Sequence, residues 1–280
     1  MDILVPQLSA QDELIIVDSS DDDHLSEDLG LIPHIKYLKT KIRSAAVQRN
    51  MGLNELKDSK YVFFLDDDIA PEPSYFNDCI RILEISGVVG VSGIALNPNS
   101  KVLRSYPSGF VGLYHRFFLL DSMRDGVLLR SGVNVPVRDY SDNVFDVDWL
   151  IGCSGWSTKE IGETRFESDF LGQSLSEDVI FSVRMSEKGR LVTVPSIVLS
   201  HDESEIARPT KAEFWKMWMV NRYRLIHVAE FGLTGYFSYW WASLGQFGIL
   251  FYSKTRRRGY QPGSIKGLIS GSLTVLGFKK

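Results

Sequence analysis

The order of apolar and polar positions predicts alternating strands and helices along the first part of the chain. Four segments have the short, apolar character of strands, the second more weakly than the others: Leu14–Val17, Ile35–Tyr37, Tyr61–Leu65 and Gly87–Ile94. Apolar residues at helical spacing predict helices over Arg43–Leu56 and Ser74–Ile85. This alternation favours a doubly wound α/β sheet, in which ligands bind beyond the carboxyl ends of the strands.

The pattern is less regular after the fourth strand. Residues 97–148 are rich in Gly, Arg, Asp and Ser, and we interpret them as a long excursion from the sheet, with a hairpin as one form it could take. Helical spacing returns at Ser174–Lys188, and two strand segments, Arg190–Val194 and Ile197–Leu199, lead to His201. The α/β unit is therefore predicted to cover residues 1–208.

Residues 209–280 are predicted to form a helical extension. Lys211–Phe231 interleaves aromatic and basic residues at helical spacing, and Gly232–Ser253 contains no charged residue. The second segment is long enough to cross a bilayer, but its glycines, serines and Gln246 make it a poor spanning segment. Because KTRRR follows its aromatic residues, we expect it to lie at the headgroup layer of a membrane. A spanning helix and a buried core helix are the alternatives.

Composition narrows the classes of function. A chain of 280 residues with 44% apolar and 24% charged residues can bury one sizeable core, which excludes a disordered protein. A net charge of −4 and a sequence pI near 5.8 give no reason to expect nucleic-acid binding. Cys79 and Cys153 are too few for a disulfide framework or a zinc cluster, and they predict structural thiols in a reducing compartment. The start MDILVPQLSAQDE lacks the pattern of a signal peptide.

Three carboxylates directly follow an apolar run in YVFFLDDDIAPEP, at residues 61–73. Asp66 and Asp68 project to the same side of the strand end, where two carboxylates can share a hard divalent cation and the phosphates that it bridges. The alternative is a solvated loop start, because adjacent like charges are costly to bury.

Two further positions carry candidate chemistry. Glu177 and Asp178 are adjacent near a predicted helix start, where they either cap the helix or supply a general base that takes a proton from a hydroxyl. His201 follows the last strand segment, and its imidazole is either structural or a ligand for Mn²⁺.

In their order along the chain, these features resemble glycosyltransferase family 2, whose fold is the GT-A nucleotide-diphospho-sugar domain. The most specific segments are RSAAVQRNMGL followed by YVFFLDDDIAP, and SEDVIFSVRMSEKGRLVTVPSIVLSH. The resemblance runs from about residue 8 to about residue 225 and implies a GT-A (Rossmann-like), mostly parallel sheet flanked by helices. It also implies a metal-dependent enzyme that uses Mn²⁺ or Mg²⁺ and a nucleoside-diphosphate sugar.

The resemblance gives a role to each matching residue. Asp178 would be the catalytic base, and Asp68 and His201 would bind the metal. The donor-binding residues would be Asp18, Ser20, Arg43, Arg49, Asp66 and Asp67. Among them, Asp18 and Ser20 would lie at the nucleobase, the two arginines near the base or diphosphate, and Asp66 at the ribose side. The acceptor side would include Gly152, Trp156 and Glu177, with the core as the alternative position for Trp156.

The single base implies inverting transfer, in which Asp178 deprotonates the acceptor hydroxyl as that hydroxyl attacks the anomeric carbon. The acceptor would be a saccharide or a lipid-linked saccharide in polysaccharide or glycoconjugate assembly. Peripheral attachment to the cytoplasmic face of a membrane is expected because positive residues prefer that side, and no nucleic acid is expected as a partner.

The N-terminus departs from the family. Members begin with a strand and a helix before the Asp18 strand, and only MDILVPQLSAQ stands here. We expect a truncated or mis-started form of the domain; the alternative is a working variant with Ile3–Pro6 as a makeshift first strand. Two other functions stay open: a non-catalytic, membrane-associated relic of the fold, and a nucleotidyltransferase. The latter would need a Gly-rich, basic phosphate loop after the first strand, which the sequence does not have there.

Overall fold

The computed structural model describes residues 3–21, 34–96, 107–138, 143–169, 175–201, 209–256 and 259–277. The strands in these ranges are β1 (Leu14–Asp18), β2 (Ile35–Lys39), β3 (Tyr61–Phe64), β4 (Ile69–Pro71), β5 (Val88–Leu96), β6 (Phe145–Val147), β7 (Ser154–Ser157) and β8 (Arg190–His201). The helices are α1 (Ala45–Asn54), α2 (Tyr75–Leu83), α3 (Gly109–Phe117), α4 (Thr158–Ile161), α5 (Glu177–Ser186), α6 (Lys211–Val228), α7 (Gly232–Arg256) and α8 (Ser264–Val275). The predicted α/β class is confirmed. Val5–Gln7 forms a 3₁₀ turn, so Ile3–Pro6 is not a first strand.

The strands form two sheets, a small parallel one and a larger one of mixed direction. β1 and β2 pair in parallel, with Asp18 opposite Lys39. The larger sheet has the order β3-β7-β5-β8-β4, and β6 pairs with β8 away from that path. In this sheet β5 and β8 are parallel, whereas every other pair that the structure describes is antiparallel. The expected mostly parallel sheet is therefore corrected to a mixed one, because the short strands β4, β6 and β7 run back beside the longer ones.

β7 lies between β3 and β5, and the sequence pattern did not reveal it. Its sequence SGWS lacks the apolar alternation that marks a strand. Trp156 on β7 lies opposite Val62 and Gly90, and a Cβ atom at Gly90 would come within 2.6 Å of the Trp156 ring. Glycine at position 90 therefore makes room for the indole inside the sheet.

Two other segments differ from their sequence predictions. The described part of residues 97–148 contains the helix α3 and the strand β6. Where a hairpin was suggested, an isolated β-bridge joins Leu128 and Asn134. The two predicted strand segments before His201 form one strand, β8, which continues through Pro195. β8 tolerates this proline because of a local irregularity in its pairing with β5 between Ser92 and Ile94.

The core lies on both faces of the larger sheet. Leu191 and Val192 are neighbours on β8 and therefore point to opposite faces, where they join different clusters. Trp156 and Phe181 pack edge to face in the first cluster, with ring centroids 5.0 Å apart. The second cluster includes both cysteines, which are buried and free, as the sequence predicted for structural thiols.

The C-terminal helices α6, α7 and α8 pack around their own apolar cluster, which includes Met219, Tyr239 and Leu268. Leu225 of α6 packs on α5 through Val179 and Ile180, so the helices also contact the sheet domain. Within the described ranges, no helix is both long enough and apolar enough to cross a membrane.

Candidate active site

The pairing of β4 with β8 brings two predicted metal ligands together. Ile69 lies opposite His201 in this pair, so Asp68, one residue before β4, faces the end of β8. The Nε2 atom of His201 and the Oδ2 atom of Asp68 are 3.1 Å apart, although the residues are 133 positions apart in sequence. Both side chains are partly exposed, so a ligand can reach them from solvent.

Asp68 and His201 could supply two of the ligands of a divalent cation, which is fewer than such a cation needs. A carboxylate oxygen and an imidazole nitrogen are both ligands that Mn²⁺ accepts, and a carboxylate also suits Mg²⁺. Among the residues that the structure describes, no group of three or more His, Cys, Asp or Glu side chains could hold a metal. A cation held by Asp68 and His201 would therefore take its remaining ligands from a bound substrate or from water.

Arg49, on α1, connects two more predicted residues. Its guanidinium donates to Oε1 of Glu177 at 2.7 Å and to Oδ1 of Asp66 at 2.8 Å. The Arg49 side chain is only 9% exposed and lies over the ring of Phe166 at 5.4 Å. A Cβ atom at position 152 would lie 2.8 Å from its terminal nitrogen, so Gly152 leaves the space that the guanidinium occupies. The sequence predicted Arg49, Asp66, Gly152 and Glu177 as site residues but not this connection.

The start of α5 places Glu177 and Asp178 at the site. Ser176, just before the helix, has a φ of 76°, which is the left-handed region that non-glycine residues seldom adopt. Ser182 anchors the same turn, because its hydroxyl donates to the carbonyl of Asp178 and accepts from the backbone N–H of Leu150. The turn is thereby fixed to the segment that precedes β7.

Burial and charge shift the acid–base properties of these groups. Burial, together with the neighbouring Asp178 carboxylate, raises the pKa of Glu177 to about 8, and Arg49 opposes this shift. Burial also raises the pKa of Asp178, with Asp66 adding to the shift and Arg49 opposing it. Burial alone would lower the pKa of the Arg49 guanidinium, but the surrounding carboxylates raise it, so Arg49 stays charged. One cation thus faces three carboxyl groups, a setting in which a carboxylate readily accepts a proton.

A second polar cluster surrounds Asp18 at the end of β1. Its carboxylate accepts hydrogen bonds from the Tyr37 hydroxyl at 2.6 Å, from Lys39 at 3.1 Å, and from both the hydroxyl and the backbone N–H of Ser20. Although burial works in the other direction, these donors hold the pKa of Asp18 well below its usual range. The sequence analysis did not predict Tyr37 and Lys39 as site residues. They occupy alternate positions on β2, so both side chains project to the same side beside the strand that ends in Asp18, and this spacing could have indicated them.

Three predicted residues lie outside these contacts. Arg43 is exposed and forms an ion pair with Asp21 at 2.5 Å. Asp67 is exposed, and no hydrogen bond or ion pair of it is found within the described residues. Trp156 is 2% exposed and donates from its indole N–H to the Ser154 hydroxyl, so it lies in the core behind the site and not on an acceptor-facing surface. The small residues around Trp156, above all Gly90, leave room for a buried indole.

Comparison with solved structures finds the GT-A fold that the sequence resemblance implied. A structure of GalNAc-T7 with UDP, GalNAc and Mn²⁺ matches with a TM-score of 0.52 and 14% identity, covering 74% of this chain and 41% of that one. A mannosyltransferase, PcManGT from Pyrobaculum calidifontis, in complex with GDP-Man and Mn²⁺, matches with a TM-score of 0.53 and 13% identity, covering 96% of this chain and 79% of that one. At this identity the likeness shows the GT-A fold alone. The present chain spans less than half of the length of the GalNAc-T7 chain.

Sequence comparison gives the family. A search of curated proteins found no match. The sequence model of glycosyl transferase family 2 matches residues 4–143, which is half of the chain. The chain therefore belongs to glycosyl transferase family 2.

Proposed function

We propose that this protein transfers a sugar from a nucleoside-diphosphate sugar to a hydroxyl of a saccharide or lipid-linked saccharide, with inversion at the anomeric carbon. The observation that carries the proposal is the meeting of Asp68 and His201, 3.1 Å apart, beside the Asp66–Arg49–Glu177 bridge. Family membership supports it, as do the UDP and GalNAc in the structure of GalNAc-T7 and the GDP-Man in that of PcManGT.

Asp68 and His201 would hold Mn²⁺ or Mg²⁺. The bound cation would neutralise the negative charge of the departing nucleoside diphosphate. The Mn²⁺ in the structures of GalNAc-T7 and PcManGT supports this part of the proposal. Asp66 and Asp67 lie in the same loop and would face the donor, with Arg49 fixing the position of Asp66.

Asp178 would act as the base. Because burial raises its pKa, its carboxylate has a greater affinity for a proton than a solvated aspartate has, which suits a group that removes the acceptor's hydroxyl proton. Glu177 and Gly152 would lie on the acceptor side, and one base suffices for direct displacement with inversion.

The cluster around Asp18 would receive the nucleobase. Tyr37 and Lys39 keep Asp18 ionised and oriented, so it can accept hydrogen bonds from a base edge, and Ser20 and Arg43 would lie nearby. The process would be polysaccharide or glycoconjugate assembly, by a protein attached to the cytoplasmic face of a membrane.

Titration calorimetry with UDP, GDP and dTDP, with and without Mn²⁺, tests the proposed function. We expect saturable, Mn²⁺-dependent binding of at least one nucleotide, lost in Asp68→Ala and kept in Asp58→Ala, which removes an exposed acid from another loop. Two results would contradict the proposal and favour a non-catalytic relic of the fold: binding of no nucleotide, or binding that is unchanged both without Mn²⁺ and in Asp68→Ala.

A further inference from the structure

Several large apolar side chains of α7 point away from the protein, although Tyr239 and Leu250 are buried. Five of its seven buried residues are small, namely Gly235, Ser238, Ala242, Ser243 and Gly245, and the other two are Tyr239 and Leu250. The exposed face carries larger apolar residues, with Phe237 at 71% exposed and Leu233 more exposed still. The outer face of a helix on a water-soluble domain is normally polar, whereas small residues inside and large apolar residues outside are typical of helices that face lipid.

α3 extends this exposed face. The indole N–H of Trp241 donates to the carbonyl of Phe117 at 2.7 Å, and the Phe118 ring stacks on Trp241 with a centroid distance of 4.9 Å. The Tyr114 hydroxyl donates to the carbonyl of Gly245. A Cβ atom at Gly245 would lie 2.4 Å from Phe118, so a glycine is needed for this close approach. α3 is therefore fixed on α7.

The two helices present one continuous apolar surface. Phe117 and Phe237 are both exposed and both pack on Trp241, one from each helix. On α7 the surface continues through Leu244 to Phe251, and on α3 through Leu113 to Phe110, at spacings of three, four or seven residues, which lie on one side of a helix. From residue 233 to residue 252 the surface is roughly 29 Å long at the helical rise. An exposed apolar surface of this extent marks a place of interaction.

The charges around the surface identify the partner. Neither α3 nor α7 contains an acidic residue, and the nearest one along the chain is Glu230, just before α7. Basic residues lie on or beside these helices: Arg116 in the last turn of α3, Arg130 beside the first turn of α7, and Lys254 and Arg256 in the last turn of α7. This local excess of positive charge contrasts with a net charge of −4 for the whole chain.

We infer that the surface formed by α3 and α7 binds an anionic lipid bilayer, with both helices lying in the plane of the headgroups. Exposed phenylalanines and leucines would insert at the boundary with the acyl chains, and the basic residues would contact the lipid phosphates. The buried inner face of α7 keeps the helix against the protein, which fits attachment along the surface. This inference deepens the proposed peripheral location. It needs neither donor nor metal, so its failure would leave the transferase proposal unaffected.

Flotation of the full chain with vesicles tests the inference. We expect it to float with vesicles of phosphatidylcholine and phosphatidylglycerol at low salt, and much less with phosphatidylcholine alone. The variant Phe237→Asp with Leu244→Asp should bind about tenfold more weakly, because both changes place a charge on the inserted face. The control Ile85→Asp adds a charge at an exposed apolar residue after α2 and should bind like the unchanged chain.

A second pair of variants, which have the same net charge as each other, tests the electrostatic part. Lys254→Glu with Arg256→Glu should weaken binding to the anionic vesicles, whereas Lys57→Glu with Lys159→Glu, elsewhere on the surface, should not. Equal binding by the two charge variants would overturn the inference, as would no flotation at low salt or equal binding by the two aspartate variants. Light scattering on the same samples identifies the competing occupant. A dimer that Phe237→Asp dissociates, without flotation, would assign the surface to a second copy of the chain.

Discussion

Replacing Arg49 by methionine tests the bridge that organises the site. Methionine keeps much of the length of the side chain and removes the charge and all of the donors. The change deletes two hydrogen bonds, to Glu177 at 2.7 Å and to Asp66 at 2.8 Å. Glu177 is buried and Asp66 is half exposed, so the two halves of the bridge do not contribute equally.

The expected loss follows from these contacts. A hydrogen bond to a charged group contributes about 1.5–3 kcal/mol. The bond from Arg49 to Asp66 should contribute an amount at or below the low end of that range, because Asp66 is exposed to solvent. Because burial raises the pKa of Glu177 to about 8, its carboxyl group can hold a proton at neutral pH, and no bare charge is left behind there. We expect Arg49→Met to lower the free energy of unfolding by about 3 kcal/mol at neutral pH. The melting temperature should fall by roughly 6 °C in a chain of this size.

The loss should grow at high pH. The folded-state pKa of Glu177 lies above its unfolded value, so the folded state binds the extra proton and stability falls as pH rises through this window. Removing Arg49 raises that pKa further, which extends the window upward. Above about pH 8, the unchanged chain holds an ionised Glu177 beside Arg49, and the variant has no cation there. The difference in stability between the two should therefore widen above about pH 8.

Urea unfolding followed by circular dichroism measures both effects. Arg43→Met is the matched control, because Arg43 makes its ion pair with Asp21 in solvent, and it should cost less than about 0.5 kcal/mol. Adding Glu177→Gln to Arg49→Met should abolish the widening, since glutamine has no proton to lose. Equal losses for the two arginine variants, or a difference that stays constant above about pH 8, would refute the reasoning.

Two further predictions concern packing and the Asp18 cluster. Gly90→Ala would place its Cβ atom within 2.6 Å of the Trp156 ring, and we expect overpacking to cost about 1–3 kcal/mol in thermal unfolding. Gly52→Ala, within α1, is its control: the added Cβ atom would be 3.9 Å from the nearest atom, on the Val17 side chain. A loss as large as that of Gly90→Ala would disprove the packing argument. Tyr37→Phe should raise the pKa of Asp18 in an NMR titration of its carboxyl group, because the hydroxyl bond of 2.6 Å is lost. An unchanged titration would show that Lys39 and Ser20 hold the carboxylate without Tyr37.

The sequence predicted the elements with strong apolar runs better than those without. β3 and β5 were visible because their apolar residues are contiguous, and α1 and α2 because their apolar residues recur at helical spacing. β7 and α3 were missed. β7 is a strand because Gly90 on β5 leaves room for Trp156 and its own Gly155 leaves room for Phe63 on β3, and both conditions depend on contacts between strands. α3 exposes its apolar residues, so it has no polar face to set the pattern.

For the candidate site, the sequence supplied the residues and the tertiary structure supplied their connections. Asp68 and His201 were chosen from motifs, and their contact depends on the register of β4 with β8. Arg49 was expected near the donor, but its bridge between α5 and the Asp66 loop depends on the space at Gly152. Trp156 had two interpretations in the sequence, and packing placed it in the core.

By itself the sequence determined the α/β class, the family resemblance and the chemical character of the site, because these depend on local periodicity and on which side chains are present. Only the tertiary structure decided the mixed direction of the sheet, the pairing of Tyr37 and Lys39 with Asp18, and the outward apolar surface of α3 and α7. Each of these depends on contacts between residues far apart in the chain. Such contacts are fixed by strand register and by the shape of neighbouring side chains, which a local pattern does not contain.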